Sequence, residues 1–335
     1  MPNIHNNISF ALVNIPIVIN PIIHDNDIPF NQLHKKCLNR IKYIKYCPIC
    51  KKDLKEVDII KGYQYNKDSY ITFNKDELNK LKIPNEKEIE DRFYKDLEFG
   101  TAGLRGVIGN GSNRMNKYTV TKATQGLANY IKMHNPENKG VAISYDSRLK
   151  GWNFAREAAG VLAANGINVR IYDELMPVPA LSFATRYYKC NAGIMVTASH
   201  NPAKYNGYKA YGPDGCQMTD DAVAVVYDSI QKTDVLTGAK YMPFSEGVEK
   251  GLIKFVGEDC KNGLYEAIEA RQVRPGLCKS AGLKLVYSPL NGTGLVPVTH
   301  VLKDMGITDI TIVPEQEYPN GYFTTCSYPN PEIYA

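Results

Sequence analysis

From residue 86 onward the apolar residues switch repeatedly between a helical period and short β-rich runs, and this alternation constrains the fold more than any other feature of the chain. Glu88 to Leu97 and Tyr118 to His134 predict helices, and Val141-Ala-Ile-Ser-Tyr145 predicts a strand. Trp152 to Asn165 predicts a helix closed by Gly166, because glycine readily takes the left-handed conformation that ends a helix. A strand over Ile167 to Tyr172, a helix opened by Pro179 and a strand over Ala192 to Thr197 continue the pattern. Strands separated by helices are joined by crossovers, so the expectation is an α/β fold with a mixed, mainly parallel sheet sandwiched by helices. The turn signals Asn206-Gly207 and Pro213-Asp-Gly215 predict a short antiparallel ribbon over Tyr205 to Met218. A second, shorter cycle follows: helix Asn262 to Arg271, strand Lys284 to Tyr287, helix Gly294 to Met305 and strand Ile310 to Val313.

The first 82 residues read differently. Ile8 to Ile19, Ile41 to Tyr46, Asp58 to Tyr65 and Ser69 to Phe73 are runs of β-branched and aromatic residues that predict strands, with one small helix over Asp76 to Lys82. Pro16 has no N–H to give a ladder, which makes the first run an edge strand or a bent one. Charge separates the two parts as well. Residues 1 to 82 hold 13 Lys and Arg against 8 Asp and Glu, whereas residues 83 to 335 hold 27 of each, so the whole net charge of +5 lies in the first quarter. The expected organisation is a basic β-rich unit over 1–82, an α/β domain over 83–240 and an incomplete α/β domain over 241–335. Within the first unit, His34, Cys37, Cys47 and Cys50 are either four converging zinc ligands or a bare CxxC at a tight turn beside a solvated histidine.

Composition closes off other classes. At 44% hydrophobic and 22% charged, the chain is neither mostly disordered nor collagen-like. The longest apolar stretch, Ile8 to Ile23, is broken by Asn14, Pro16, Asn20 and Pro21, and no Lys or Arg precedes it. It therefore predicts neither a membrane span nor a signal peptide, and the expected location is the cytoplasm. Eight cysteines in 335 residues, five of them scattered singly and three clustered at Cys37, Cys47 and Cys50, fit reduced thiols better than a disulfide framework.

Three loops of the α/β part carry candidate chemistry. Phe99 to Arg114 places five glycines around Thr101, Arg105 and Arg114, so backbone amides and guanidinium groups can approach an anion closely. A glycine-rich surface turn fits the same residues, and neither a P-loop nor a dinucleotide fingerprint is present. The second loop, Thr197-Ala-Ser-His-Asn-Pro202, sets Ser199 where open α/β sheets bind ligands, at the carboxyl end of a strand, with His200 placed to assist proton transfer. An ordinary strand exit is the plainer alternative, since no nucleophile elbow accompanies it. The third, Tyr205-Asn-Gly-Tyr-Lys209, brings a lysine close in sequence; Lys209 is either an acid, base or phosphate partner, or a solvated hairpin lysine.

Two resemblances follow from these residues. Ile8-Ser-Phe-Ala-Leu-Val-Asn-Ile-Pro, Gln32-Leu-His-Lys-Lys, Arg40-Ile-Lys-Tyr, Cys47-Pro-Ile-Cys and Asp58-Ile-Ile-Lys-Gly-Tyr-Gln-Tyr resemble the opening of bacterial Ku, which binds DNA ends in non-homologous end joining. The likeness stops near Lys82, before the rest of the barrel and the bridging arm, and an incomplete ring could not trap a duplex. A DNA end-binding module is thus the alternative function, and a merely basic appendage the expectation. Asp91-Arg-Phe-Tyr-Lys-Asp-Leu-Glu-Phe-Gly-Thr-Ala-Gly-Leu-Arg-Gly with Asn113-Arg-Met-Asn116, Tyr145-Asp-Ser-Arg148, Pro177-Val-Pro-Ala-Leu-Ser-Phe-Ala-Thr-Arg186 and Thr197-Ala-Ser-His-Asn-Pro with Tyr205-Asn-Gly-Tyr-Lys resemble the α-D-phosphohexomutase family of phosphoglucomutases and phosphomannomutases.

The second resemblance covers residues 85 to 335 and implies an intramolecular phosphotransferase acting on a sugar phosphate. Ser199 would be the phosphoserine, and its phosphate a ligand of Mg²⁺. His200 and Lys209 would share its pocket, Lys209 as acid, base or charge partner, while Thr101 and Arg105 would contact phosphate. Glucose 1,6-bisphosphate would be the activator. Such a reaction calls for cations and amides around one oxygen, in agreement with the residue types present. The family's metal-binding Asp-x-Asp-x-Asp-Arg run does not occur in these 335 residues. The expectation is therefore a truncated enzyme with little or no turnover alone.

Overall fold

The sheet that positions the serine loop is built from both sides of that loop. The computed structural model describes residues 4–10, 13–19, 35–37, 45–55, 58–59, 61–66, 69–73, 86–100, 103–134 and 137–326. The chain divides into two compact units, Met1–Ile83 and Pro84–Ala335.

In the first unit the described strands pair as three antiparallel hairpins: β1 (Ile4–Phe10) with β2 (Val13–Ile19), β3 (Tyr46–Cys47) with β4 (Lys52–Asp53), and β5 (Lys61–Asn66) with β6 (Ser69–Phe73). The run expected as one strand over Ile8 to Ile19 is divided between β1 and β2, with Asn7 opposite Pro16. A two-stranded sheet leaves each strand one unpaired edge, which accommodates a residue without an N–H. Cys47 Sγ accepts a hydrogen bond from the Cys50 amide at 3.4 Å, which defines the CxxC turn. His34 and the helix expected over Asp76 to Lys82 lie outside the described residues.

In the second unit a six-stranded sheet has the order β12–β9–β8–β10–β11–β7, formed by β7 (Gly103–Val107), β8 (Val141–Tyr145), β9 (Val169–Ile171), β10 (Ala192–Val196), β11 (Tyr205–Tyr211) and β12 (Ile253–Phe255). The pairs β12–β9, β9–β8 and β8–β10 are parallel, and β11 runs antiparallel to both of its neighbours. Helix α1 (Glu86–Phe93) precedes the sheet. One face is covered by α2 (Lys117–His134), α3 (Gly151–Ala164), α5 (Asp220–Lys232) and α6 (Phe244–Glu249), the other by α4 (Val178–Tyr187) and α7 (Glu258–Glu269).

β8 and β10 are buried along their whole length, as continuous apolar strands in a parallel sheet must be. Leu127, Ile143, Leu162 and Ile194 are fully buried in the first core and Met176 and Leu181 in the second. Each large aliphatic side chain so placed contributes about 1.5–3 kcal/mol. Beyond α7, a short α8 (Leu277–Ala281) leads to β13 (Lys284–Tyr287), crossover helix α9 (Leu295–Asp304) and β14 (Asp309–Ile312), whose two strands are parallel. Helix α9 rests on α7, with the His300 ring centroid 4.1 Å from that of Tyr265.

The structure departs from the sequence expectations in identifiable ways. Part of the glycine-rich loop is strand β7. A Cβ at Gly103 would lie 2.3 Å from the Tyr208 carbonyl oxygen, so this glycine permits strand pairing where a loop was expected. The predicted ribbon at Tyr205 is a full strand of the central sheet, although Tyr211 does bridge back to Gln217. Helices α5 and α6 and strand β12 were not foreseen. β12 lies past residue 240 and still hydrogen-bonds to β9, so the first sheet draws on chain beyond that expected division.

Candidate functional site

Asp146, Ser147 and Arg148 leave the carboxyl end of β8, and Thr197, Ala198 and Ser199 leave that of β10 beside it. Parallel pairing of these two strands brings the exits together. Arg148 is 3% exposed, and its guanidinium spans the serine turn. One terminal nitrogen, Nη2, donates to the carbonyl oxygens of Ser199 at 2.7 Å and Asn201 at 2.5 Å. The other, Nη1, donates to those of Pro202 at 3.0 Å and Tyr205 at 3.2 Å. Asp146 lies 3.6 Å from Arg148 Nε and accepts from the Arg148 amide at 3.0 Å. Thr197 Oγ1 donates to Asp146 Oδ2 and accepts from the Ser199 amide at 2.9 Å. A half-buried carboxylate therefore fixes a threonine hydroxyl, which fixes the amide of Ser199.

Burial raises the pKa of Asp146, while the bonds from Thr197 and Arg148 and the charge of Arg148 oppose the rise. The pKa of Arg148 is lowered, first by burial and then by the nearby charge of Arg105, with Asp146 pulling the other way.

Ser199 is exposed and has φ +55°, the left-handed region that a non-glycine residue enters only when its surroundings hold it there. Its Oγ lies 3.3 Å from His200 Nδ1, and the His200 side chain is also exposed. The exit is kept tight by β11. A Cβ at Gly207 would stand 2.5 Å from the Thr197 carbonyl oxygen, and Asn206 Nδ2 donates to the Leu149 carbonyl at 3.0 Å.

Arg105 and Lys209 occupy one face of neighbouring antiparallel strands: Arg105 is opposite Gly207, and Lys209 is opposite Gly103. Both line an open cleft of about 620 Å³, together with Lys95, Glu98 and Gln217. The pKa of Lys209 is lowered by burial and then by Arg105. Ser199 and His200 do not line that cleft, so the expected residues fall into two pairs, Ser199 with His200 and Arg105 with Lys209. Arg148 is the physical connection, since it bonds the Ser199 carbonyl and feels the charge of Arg105.

One candidate ends elsewhere. Arg114 is 9% exposed and engaged by Asp91 and by the Asn113 carbonyl at 2.9 Å. It anchors helix α1 and does not face the cleft as a phosphate ligand would. Thr101 lies outside the described residues.

Sequence reasoning assigned no role to Asp146, Arg148 or Thr197, though all three lie in the quoted motifs. The signal was an acid-x-Arg triplet directly after one buried strand and a threonine two residues before the serine on another. Among the described residues no three His, Cys, Asp or Glu side chains are grouped to hold a metal ion. Asp146 is already engaged by Thr197 and Arg148, so the residues beside Ser199 do not by themselves make a Mg²⁺ site.

The arrangement defines a class: an α/β domain that presents a serine hydroxyl at the carboxyl edge of its sheet, with a cationic cleft on an adjoining strand pair. Comparison with known proteins makes the class specific. Residues 96–236 match phosphoglucomutase/phosphomannomutase, alpha/beta/alpha domain I, and residues 264–334 match domain II of the same family. The chain belongs to the phosphoglucomutase/phosphomannomutase family over these residues. Residues 9–98 match the Ku70/Ku80 beta-barrel domain, extending past the Lys82 at which the resemblance was expected to stop.

A phosphoglucomutase of Staphylococcus saprophyticus is 36% identical over 247 residues, covering 74% of this chain and 44% of the relative. A phosphoglucomutase of Staphylococcus aureus is 33% identical over 269 residues, covering 80% and 48%. The chain thus spans less than half the length of these curated relatives. The structure of a phosphoglucomutase from Paramecium, pp63/parafusin, shares the fold with a TM-score of 0.54 at 18% identity, over 69% of this chain and 46% of that one. No helix among the described residues is long and apolar enough to cross a membrane.

Proposed function

We propose that residues 84–335 form the phosphoserine-bearing part of a phosphohexomutase, in which Ser199 accepts a phosphoryl group from a sugar bisphosphate and returns one to a sugar monophosphate. The observation that carries this reading is the presentation of Ser199: an exposed hydroxyl on a left-handed turn whose backbone is gripped by the buried Arg148 guanidinium at its carbonyl and by the Thr197 hydroxyl at its amide. In the transfer to the protein, the bond from phosphorus to Ser199 Oγ forms as the bond from phosphorus to a sugar oxygen breaks. The hydroxyl proton ends on that sugar oxygen. His200 Nδ1, at 3.3 Å, is within reach to relay the proton. Arg105 and Lys209 supply positive charge to the phosphate not being transferred, and Thr101 is assigned a phosphate contact with them. Phosphoryl transfer gains chiefly from positioning and charge neutralisation, which are what these groups provide.

Mg²⁺ and glucose 1,6-bisphosphate belong to this reading. The metal would be bound through the phosphorylated form of Ser199 together with carboxylates from outside the described site. The chain's substrate class is a sugar phosphate, its place is the cytoplasm, and its divisions are 1–82, a domain from 83 whose sheet takes in β12 at Ile253–Phe255, and the remainder to 335. Residues 1–82 are assigned as a basic appendage, with no DNA-end specificity.

The test is incubation of the full chain with glucose 1,6-bisphosphate and Mg²⁺, followed by peptide mass spectrometry. A phosphoryl group on Ser199, lost in Ser199→Ala, supports the reading. An unlabelled, folded sample defeats it.

A further inference from the structure

We propose that Arg148 is a positioning residue for chemistry at Ser199, held against the serine turn from its other side by Phe323. The inference rests on the functional reading above. Arg148 contacts carbonyl oxygens and not the serine hydroxyl, so its influence on the reaction passes through the shape of the turn. Four carbonyls, those of Ser199, Asn201, Pro202 and Tyr205, converge on its two terminal nitrogens. A planar trans peptide that aims its carbonyl at Arg148 aims the next N–H the opposite way.

The bonds to the Ser199 and Pro202 carbonyls therefore turn the amides of His200 and Ala203 away from the guanidinium. Neither amide has a protein acceptor among the described residues. Two unspent N–H groups in the turn that follows an exposed serine on a left-handed residue are the elements of an anion-binding concavity. Arg148 thus sets the orientation of the donors that a phosphoryl group on Ser199 would meet.

The second half of the inference concerns the segment after β14. Phe323 is 8% exposed with φ +50°, and its ring centroid lies 5.2 Å from the Arg148 guanidinium carbon. Two residues earlier, Gly321 passes so close that a Cβ there would stand 2.8 Å from both the Leu149 nitrogen and the Ser147 oxygen. Residues 321–323 therefore close over the exit of β8, and the aromatic face leaves the guanidinium one direction in which to point its donors, toward the serine turn. Lysine could not substitute, because a point charge lacks the planar fork that engages four carbonyls at once.

The experiment uses the full chain and glucose 1,6-bisphosphate with Mg²⁺, following phosphorylation of Ser199 in a single turnover for wild type, Arg148→Lys, Phe323→Leu and Phe323→Tyr. Amide hydrogen exchange is measured on the same proteins without ligand. Misplacement of a reacting group by about 1 Å costs about 100-fold in rate. We expect Arg148→Lys to lower the plateau rate by about that factor while the half-saturating bisphosphate concentration stays within about twofold. Phe323→Leu should lose less in the same direction, and Phe323→Tyr, which keeps the ring, should restore the rate. Exchange should quicken in residues 199–205 of Arg148→Lys while β8 and β10 keep their protection.

A wild-type plateau rate in Arg148→Lys, or a loss confined to half-saturation, overturns the proposal. Should wild-type Ser199 take no phosphoryl group, the functional reading fails. The exchange comparison then decides the inference alone: quickening confined to 199–205 upholds the hold of Arg148 on the turn, and unchanged exchange refutes it.

Discussion

Replacing Thr197 by valine tests the hydrogen-bonded relay under Ser199 with almost no change of shape. The hydroxyl removed is the donor to half-buried Asp146 and the acceptor for the Ser199 amide at 2.9 Å. A hydrogen bond to a charged group is worth about 1.5–3 kcal/mol, and a neutral one about 0.5–1.5 kcal/mol. Valine fills the same space, so no cavity term is added, and the expected loss is about 2–4 kcal/mol. Against a urea slope of up to about 3 kcal/mol/M, this moves the unfolding midpoint down by about 1 M, with the slope itself unchanged. Thr197→Ser keeps the hydroxyl and should lose about 1 kcal/mol or less, the cost of one methyl. Phosphorylation of Ser199 should fall in the valine variant and persist in the serine one. A midpoint for Thr197→Val within about 0.2 M of wild type would show that Asp146 and the Ser199 amide find other partners, and the relay would be discarded.

Four further outcomes follow from the same geometry. Burial raises the pKa of Asp146, so the folded protein binds its proton before the unfolded chain does; wild type should gain stability relative to Asp146→Asn as pH falls from 7 toward 4, and a parallel pair of pH-stability curves contradicts this. Gly207→Ala forces a Cβ against two backbone oxygens, at 2.5 and 2.8 Å, and should cost about 1–3 kcal/mol in thermal unfolding together with loss of Ser199 labelling; an unchanged melting curve contradicts the close approach. Arg105 contributes to the lowering of the Lys209 pKa, so Arg105→Gln should shift the alkaline limb of the phosphorylation rate to higher pH, and a shift downward refutes the coupling. Burial pushes the Cys190 thiol up to about 12 and Cys260 up to about 11, so alkylation at pH 8 should mark exposed Cys216 and spare both, as peptide mapping would reveal.

Much of the α/β framework was legible from local pattern. Lys284–Tyr287 was predicted to the residue, and the helices around Tyr118 and Trp152 to within about one residue, because amphipathic period and a closing glycine act over a few neighbours. β7 was hidden because the glycines that permit its close pairing with β11 carry the signature of a turn. β12 was hidden by its three-residue length, which is too short to display a period.

The candidate site divides the same way. Ser199, His200, Arg105 and Lys209 were nameable from motifs, but their grouping into two pairs depends on strand order. Arg114 shows the converse: its placement in the glycine-rich segment suggested an anion ligand, and Asp91, from a helix earlier in the chain, claims it for structure.

What the chain alone determined is the succession of helices and strands, the basic bias of its first quarter and the identity of the serine loop, all carried by residues near one another in sequence. Tertiary structure decided which exits face each other. Arg148 and Ser199 stand 51 residues apart and meet because β8 and β10 lie parallel and adjacent, which their own residues do not encode. The serine is held in its left-handed turn by partners from β8, β10 and β11, since a strained backbone persists only where several elements constrain it together.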